Sequence, residues 1–104
     1  MWGWGELACY PLHSDEQVNR KGSFKREEVD GSKPMWPTKK FAKDAGWDMY
    51  TPHPISILPG QRVTVDTSIC CHFPEGMWGQ LREKSGLAYR YGLIVLGGVV
   101  DEGY

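Results

Sequence analysis

The sequence predicts an all-β domain, a sandwich or a barrel, from the spacing of its apolar residues and from its turn-forming residues. The series Val63, Val65, Thr67 and Ile69 repeats with a period of two, which is the spacing of a strand with one buried face. The 13 Gly and 7 Pro residues favour frequent turns over long helices. With 104 residues the chain forms one domain at most.

Residues 1–39 are predicted to be a loop-rich N-terminal extension or insert, followed by a β domain over residues 40–104. The opening residues "MWGWGELACY" suit a strand that adds to the edge of a sheet. The polar stretch from His13 to Lys33 has no period of 2 or 3.6, so it is predicted to be a loop. A solvated loop and a binding surface both stay open for this stretch, and its mixed charges favour the solvated loop.

The β domain is read from three further stretches. In "ISILPGQRVTVDTSICCHF" an apolar run reaches a Pro-Gly turn and continues as a strand. "PEGMWGQL" predicts another turn into a strand, and "LAYRYGLIVLGGVV" is predicted to be rich in strand. The Gly-Gly pair in the last stretch indicates a bulge or a close approach to the backbone.

Charge and cysteine usage exclude several classes of protein. A net charge of −1 argues against binding to nucleic acid. Cys9, Cys70 and Cys71 fit neither a zinc pattern nor a disulfide framework, and Cys70 and Cys71 are predicted to pack on opposite faces of a strand, with a redox role as the less favoured alternative. His13, His53 and His72 share no ligand spacing and are expected to be structural or exposed.

The N-terminus lacks both a basic start and a long apolar stretch. We therefore expect no signal peptide and no membrane span. A reducing, intracellular location fits the cysteines best: we expect the cytoplasm, with the nucleus not excluded.

Three clusters carry groups that suit phosphate chemistry. Asp48 suits a hydrated metal ion, with a turn cap as the alternative. Lys84, Ser85 and Gly86, with Arg82 as an added cation, suit a polyphosphate, with a plain Ser-Gly turn as the alternative. In the third cluster, the acid and the tyrosine of "DEGY" suit a general base and a stacking ring, with a surface turn as the alternative.

Taken in order, these motifs resemble the trimeric deoxyuridine triphosphatase (dUTPase) family. The resemblance covers residues 41–104 and rests on "AGWDMY", on "ILPGQRVTVDTSICCHFPEGMWGQL", on "KSGLA" and on "GGVVDEGY". It implies a jelly-roll or β-clip subunit that forms trimers, with active sites at the subunit interfaces. It also implies hydrolysis of dUTP to dUMP and pyrophosphate, with Mg²⁺ as the cofactor.

The resemblance also implies a role for each matched residue. Asp48 holds the magnesium ion through water, and Asp101 orients and activates the attacking water. The remaining residues bind the substrate. The phosphate-binding loop is matched by Lys84, Ser85 and Gly86. The backbone that reads the uracil edge is matched by Gly98, and the tyrosine that packs against the deoxyribose is matched by Tyr104.

The chain departs from the family pattern in two ways. Lys84 stands where the family usually has Arg, which keeps the charge and loses the bidentate fork. The fourth motif and the glycine-rich fifth motif of the family are not in this sequence, which therefore matches the family up to its third motif. We expect a homotrimer or a complementing chain, because an incomplete jelly roll leaves strand edges that recruit another chain.

Two other functions stay open on the sequence alone. A catalytically inactive or partner-dependent module with the same fold would bind a deoxyuridine nucleotide or a protein without hydrolysis. A relative of the dCTP deaminases is less favoured, because "GGVVDEGY" resembles the hydrolase ending and no further glutamate stands out for deamination.

Overall fold

The computed structural model describes residues 3–11, 22–26 and 35–104, which form two antiparallel sheets and one short helix. The elements follow in the order β1 (Gly3–Pro11), β2 (Ser23–Arg26), β3 (Trp47–Tyr50), β4 (Ile69–His72), β5 (Met77–Glu83), α1 (Ser85–Tyr91) and β6 (Val99–Val100). One sheet has the order β3-β1-β5-β6, and the other pairs β2 with β4. The all-β prediction is confirmed, although the described strands do not close into a barrel.

The first strand lies in the interior of the larger sheet. β1 pairs with β3 on one side and with β5 on the other, where the register runs from Gly5 opposite Glu83 to Pro11 opposite Met77. The prediction of a strand here is confirmed, but its predicted place at a sheet edge is wrong. The backbone N–H and C=O groups along one edge of β1 pair with β3, and those along its other edge pair with β5. The proposed division of the chain after residue 39 stays a prediction.

Part of the predicted N-terminal loop is a strand. Ser23–Arg26 forms β2, and Phe24 lies opposite Cys71 of β4. Phe24 is half-buried and packs against the core, and all four residues of the strand pair with β4. Apart from Gly22, the rest of the polar stretch, including His13, Val18 and Val29, lies outside the described residues.

The core lies between the two sheets. Its buried apolar residues are Leu7, Met49, Phe73 and Met77, and half-buried side chains from both sheets, among them Phe24, Ile69 and Leu81, pack against them. A Cβ atom on Gly79 of β5 would overlap the ring of Phe73, so glycine at this position leaves room for the ring. Each buried large apolar side chain contributes about 1.5–3 kcal/mol to folding.

The strand-rich prediction for residues 87–100 is wrong over most of its length. Ser85–Tyr91 is a helix that ends at Gly92, whose φ of 68° and N–H bond to the carbonyl of Ala88 (2.9 Å) form a left-handed cap. Arg90 in the last turn complements the helix dipole. Of the predicted strand, only Val99–Val100 is present.

The alternation at Val63 and Val65 does not produce a strand. The Pro59-Gly60 turn is confirmed, with the Gln61 N–H bonded to the Leu58 carbonyl at 2.9 Å. Beyond it, residues 61–68 have no ladder partner among the described residues. The Asp66 Oδ1 atom accepts the Ser68 N–H at 2.8 Å, and Ser68 has a φ of 58°. This local bond competes with strand pairing.

The exposure of the cysteines agrees with their predicted packing. Cys70 is exposed and Cys71 is half-buried, as expected for neighbours on opposite faces of a strand, and all three cysteines are free. Within the described ranges, no helix is long and apolar enough to cross a membrane.

Candidate functional site

An ion pair joins two of the predicted site residues. Asp48 lies in β3, Lys84 directly follows β5, and the Lys84 Nζ atom is 3.4 Å from the Asp48 Oδ1 atom. The lysine reaches across β1 at Gly3, where an added Cβ would be 3.2 Å from Nζ. Glycine at position 3 therefore leaves the space through which Lys84 meets Asp48.

Further charges line the same face of the sheet. Glu6 of β1 lies opposite Asp48 on one side and opposite Arg82 on the other, and directly opposite residues share a face. The β1–β5 register is unbroken from Gly5 opposite Glu83 to Pro11 opposite Met77. Because Lys84 reaches Asp48, the ammonium of Lys84 and the side chain of Arg82 are on one face, as the alternation of β5 predicts. Two acids and two cations thus lie on this face of the sheet, and Lys84 and Asp48 are close enough to form an ion pair.

The residues around Asp48 fit a magnesium ion that is bound mainly by water and phosphate. No group of three or more His, Cys, Asp or Glu side chains in the described part of the chain could hold a metal ion alone. Mg²⁺ keeps several waters and is commonly held by one or two carboxylates together with substrate phosphates. A single half-buried carboxylate such as Asp48 suits that mode of binding.

The predicted phosphate loop is the start of helix α1. Ser85 and Gly86 are its first two residues, both exposed, and Lys84 precedes them in an extended conformation without a side-chain capping bond. The first N–H groups of a helix have no acceptor within the helix, so they point outward as donors. A Cβ on Gly86 would meet nothing within 4 Å, so packing does not demand glycine there.

The Gly-Gly pair marks a close approach between two backbone segments, as predicted. Gly97 has a φ of 67°, and the Gly98 carbonyl accepts the Leu81 N–H at 2.7 Å. A Cβ on Gly98 would overlap the Leu81 carbonyl oxygen. Gly97 is therefore needed for the turn, and Gly98 is needed for contact with β5.

Asp101 and Tyr104 lie in a turn after β6. Asp101 directly follows the strand, as predicted, and its carbonyl accepts the Tyr104 N–H at 3.2 Å. Glu102 anchors the turn, since its Oε2 atom accepts the Gly76 N–H at 3.1 Å. Tyr104 is almost fully exposed, at 99%. Both side chains are thus presented to a ligand or to another chain.

An open cavity of about 530 Å³ lies beside this turn. The residues that line it come from β1, from β5, from the stretch before β4 and from the C-terminal segment: Trp4, Val65, Asp66, Thr67, Leu81, Gly97, Val99, Val100 and Tyr104. Ligand pockets for small molecules typically measure 300–1,000 Å³. The Trp4 Nε1 atom is buried and has no hydrogen-bond partner among the described residues.

The predicted site residues fall into two groups that a single chain keeps apart. Val100 lies opposite Gly79, whereas Ser85 comes six residues later along β5 and the start of α1. A strand advances about 3.3 Å per residue, so Asp101 and Ser85 lie about 20 Å apart. Asp48, Lys84 and Ser85 form one group, and the cavity with Gly98, Asp101 and Tyr104 forms the other.

Sequence reasoning missed two polar residues at these groups. Glu6 lies between Asp48 and Arg82, but a glutamate in a strand predicted at an edge carried no signal of its own. Glu83 lies between Arg82 and Lys84, and its Oε1 atom is 3.8 Å from the Arg82 Nη2 atom. In the sequence, the position of Glu83 between the cations Arg82 and Lys84 was the feature that could have identified it.

The comparisons with known proteins point in one direction. A model of the dUTPase family matches residues 33–104. A deoxyuridine 5'-triphosphate nucleotidohydrolase of Mycolicibacterium vanbaalenii is 41% identical over 70 residues, which is 65% of this chain and 46% of that protein. The enzyme of the same name from swinepox virus is 32% identical over 68 residues, 65% of this chain and 48% of that protein.

A further relative of the same name from Mesorhizobium japonicum is 51% identical over 53 residues, 49% of this chain and 33% of that protein. The chain thus spans about half the length, or less, of the curated relatives it matches. No solved structure gives a significant match.

Proposed function

This chain belongs to the dUTPase family, and we propose that it takes part in the hydrolysis of dUTP to dUMP and pyrophosphate. One observation carries the proposal: the family match includes residues 97–104, and this stretch lines the 530 Å³ cavity. The proposed occupant of the cavity is the deoxyuridine part of the substrate. A cytoplasmic location is proposed with it, since free cysteines suit a reducing compartment.

The backbone around Gly98 is proposed to read the uracil ring, and Tyr104 to pack against the deoxyribose. Backbone donors and acceptors select one base because a wrong base leaves buried polar groups unpaired. The close contact of Gly98 with Leu81 supports this role, since it holds the reading backbone against a regular strand. An exposed Tyr104 ring is available to cover a sugar.

The triphosphate is proposed to bind at the other group of residues. Lys84 supplies positive charge, and Ser85 and Gly86 supply a hydroxyl and backbone N–H donors at the start of α1. Asp48 is proposed to hold magnesium through water, and the bound ion would neutralise charge on the phosphate oxygens. Phosphoryl transfer depends on such neutralisation and on positioning more than on a covalent nucleophile.

Asp101 is proposed to be the general base. Its carboxylate would accept a proton from the attacking water while the new P–O bond forms and pyrophosphate leaves. Its position directly after β6 supports this role, because the strand and the turn bond from Tyr104 to the Asp101 carbonyl hold the backbone in place.

The two groups of residues are proposed to meet between neighbouring copies. They lie about 20 Å apart in one chain, as derived from the strand spacing. A nucleotide held by Gly98 and Tyr104 of one copy would place its phosphates on Lys84 and Ser85 of the next. A homotrimer satisfies this arrangement, and so does an assembly with a complementing chain.

The function is tested by measuring pyrophosphate release from dUTP in the presence of magnesium. We expect Asp101→Asn to reduce the rate by about 10²–10⁴-fold, the usual contribution of a positioned general base. Glu102→Gln is the matched control, because it changes the neighbouring carboxylate of the same turn but keeps an acceptor for the Gly76 N–H. Equal rates for wild type and Asp101→Asn would overturn the assignment of the base.

Calorimetry with a non-hydrolysable dUTP analogue separates hydrolysis from simple binding. Binding with no release of pyrophosphate from dUTP supports the alternative, an inactive or partner-dependent nucleotide-binding module. No binding at all contradicts both functions.

A further inference from the structure

Glu83 accepts a hydrogen bond from Val95, a residue twelve positions later in the chain. It is the last residue of β5, with its side chain 25% exposed, and its Oε2 atom accepts the Val95 N–H at 3.4 Å. Gly5 of β1 lies opposite Glu83, and a Cβ on Gly5 would be 3.9 Å from the Val95 side chain. Val95 is therefore held between the end of β5 and the start of β1.

The contact restrains what we call the return segment, residues 92–98. This segment leads from the left-handed Gly92 to β6 and contains no regular structure. Two hydrogen bonds attach it to β5: Glu83 to the Val95 N–H, and the Leu81 N–H to the Gly98 carbonyl at 2.7 Å. A segment without regular structure keeps its shape only through attachments of this kind.

The Glu83 carboxylate is well suited to be an acceptor. Its pKa is lowered by a hydrogen bond from its own backbone N–H, by the Val95 N–H and, to a smaller extent, by Arg82, against an opposing effect of desolvation. The anion is therefore the form present near neutral pH. Hydrogen bonds to an ionised acceptor are stronger than those between neutral groups.

We propose that Glu83 is a positioning residue that sets base selectivity. By holding Val95, it keeps the backbone of Gly97 and Gly98 in the position from which that backbone contacts the edge of the base. The proposal rests on the proposed function, in which the backbone at Gly98 reads uracil. With the Val95 attachment removed, the segment has no described hydrogen bond to β5 between the Gly92 cap and the Leu81–Gly98 bond, so its middle residues shift relative to β5. The reading groups then lose their alignment with the base, while Asp101 beyond β6 keeps its place.

The test compares the binding of dUMP and dCMP to wild type, Glu83→Ala and Glu83→Gln by calorimetry. We expect Glu83→Ala to bind dUMP about three- to tenfold more weakly, the effect of losing one hydrogen bond of ordinary net strength. The preference for dUMP over dCMP falls by the same factor. Glu83→Gln keeps an acceptor oxygen and should recover most of the selectivity.

Glu75→Ala is the matched control, since Glu75 is an exposed glutamate in the turn before β5. It should leave both affinities unchanged. Hydrogen exchange provides a second readout, in which the Val95 amide exchanges faster in Glu83→Ala than in wild type. Circular dichroism checks the fold of each variant, and Glu83→Asp, one methylene shorter, replaces Glu83→Ala if the latter does not fold.

The outcomes separate this proposal from the proposed function. Binding of dUMP by wild type with unchanged selectivity in the Glu83 variants overturns the role of Glu83 and leaves the function standing. An equal loss of affinity for both nucleotides also overturns it, because it indicates a general structural effect. Failure of wild type to bind any deoxyuridine nucleotide overturns the function itself, and the role of Glu83 with it.

Discussion

Lys84 and Asp48 form an ion pair across the first strand, with the Lys84 Nζ atom 3.4 Å from the Asp48 Oδ1 atom. The pair joins the end of β5 to β3 over the gap left by Gly3. The proposed phosphate-binding cation and the proposed metal-holding carboxylate are therefore already in contact. In the proposed function this pair would separate, because Lys84 would bind the phosphates and Asp48 would help to hold the metal ion.

A double-mutant cycle measures how strongly this pair stabilises the fold. Lys84→Met, Asp48→Asn and the combined variant should give a coupling free energy of about 0.2–1 kcal/mol in urea denaturation, because both side chains are partly exposed. Lys84→Arg keeps the charge and should retain most of the coupling. A coupling of zero would mean that solvent screens the pair completely.

Mixed assemblies test whether the site forms between copies. Asp48→Asn and Asp101→Asn should each be inactive in pyrophosphate release, and their co-expression should restore about a quarter of the wild-type activity, because one interface in four then pairs two intact halves. Each variant assayed alone is the control. No recovery on co-expression contradicts a site shared between neighbouring copies.

Gly98→Ala is expected to lower the free energy of unfolding by about 1–3 kcal/mol, the usual cost of overpacking. The added methyl group would overlap the backbone oxygen of Leu81, and a backbone atom in a strand cannot move aside as a flexible side chain does. Urea denaturation gives the value. Gly103→Ala is the control, since its Cβ meets nothing within 4 Å; equal stability of the two variants would contradict the close contact between Gly98 and β5.

The thiol of Cys71 predicts a loss of stability at alkaline pH. Burial, with smaller effects of Cys70 and Cys9, raises its pKa from 9.0 to about 11. The unfolded chain therefore releases this proton first, and the free energy of unfolding falls as the pH rises from about 9 to about 11. Urea denaturation across this range should show a smaller decrease in Cys71→Ala than in wild type. Identical decreases in both proteins would contradict the raised pKa.

The sequence predicted the parts of the fold and of the site that depend on short motifs. The Pro59-Gly60 turn, the Gly-Gly contact and the position of Asp101 after a short strand all follow from local backbone requirements. The positions of Glu6 and Glu83 in the site were not predicted, because their contacts are with residues that only the fold brings close to them. The roles assigned to the matched residues stay predictions until the variants are assayed.

The secondary structure also differs from the prediction wherever it depends on partners that are distant in the sequence. Val63 and Val65 have the alternation of a strand but no partner strand among the described residues, and a strand forms only where its backbone groups are paired. Ser85–Tyr91 lies in a stretch with apolar residues that suit a strand, yet Gly92 caps it as a helix. β1 was predicted at an edge, and its neighbours β3 and β5 enclose it.

The sequence by itself determined the all-β class, the turns at its glycines and the family resemblance, because these depend on residue type and on spacing over a few positions. Only the tertiary structure decided that β1 is a central strand, that Lys84 meets Asp48, and that these two residues lie far from Asp101 in one chain. Those facts depend on which strands pair and in which register. Pairing is decided by burial of the whole core, and no short stretch of sequence contains that information.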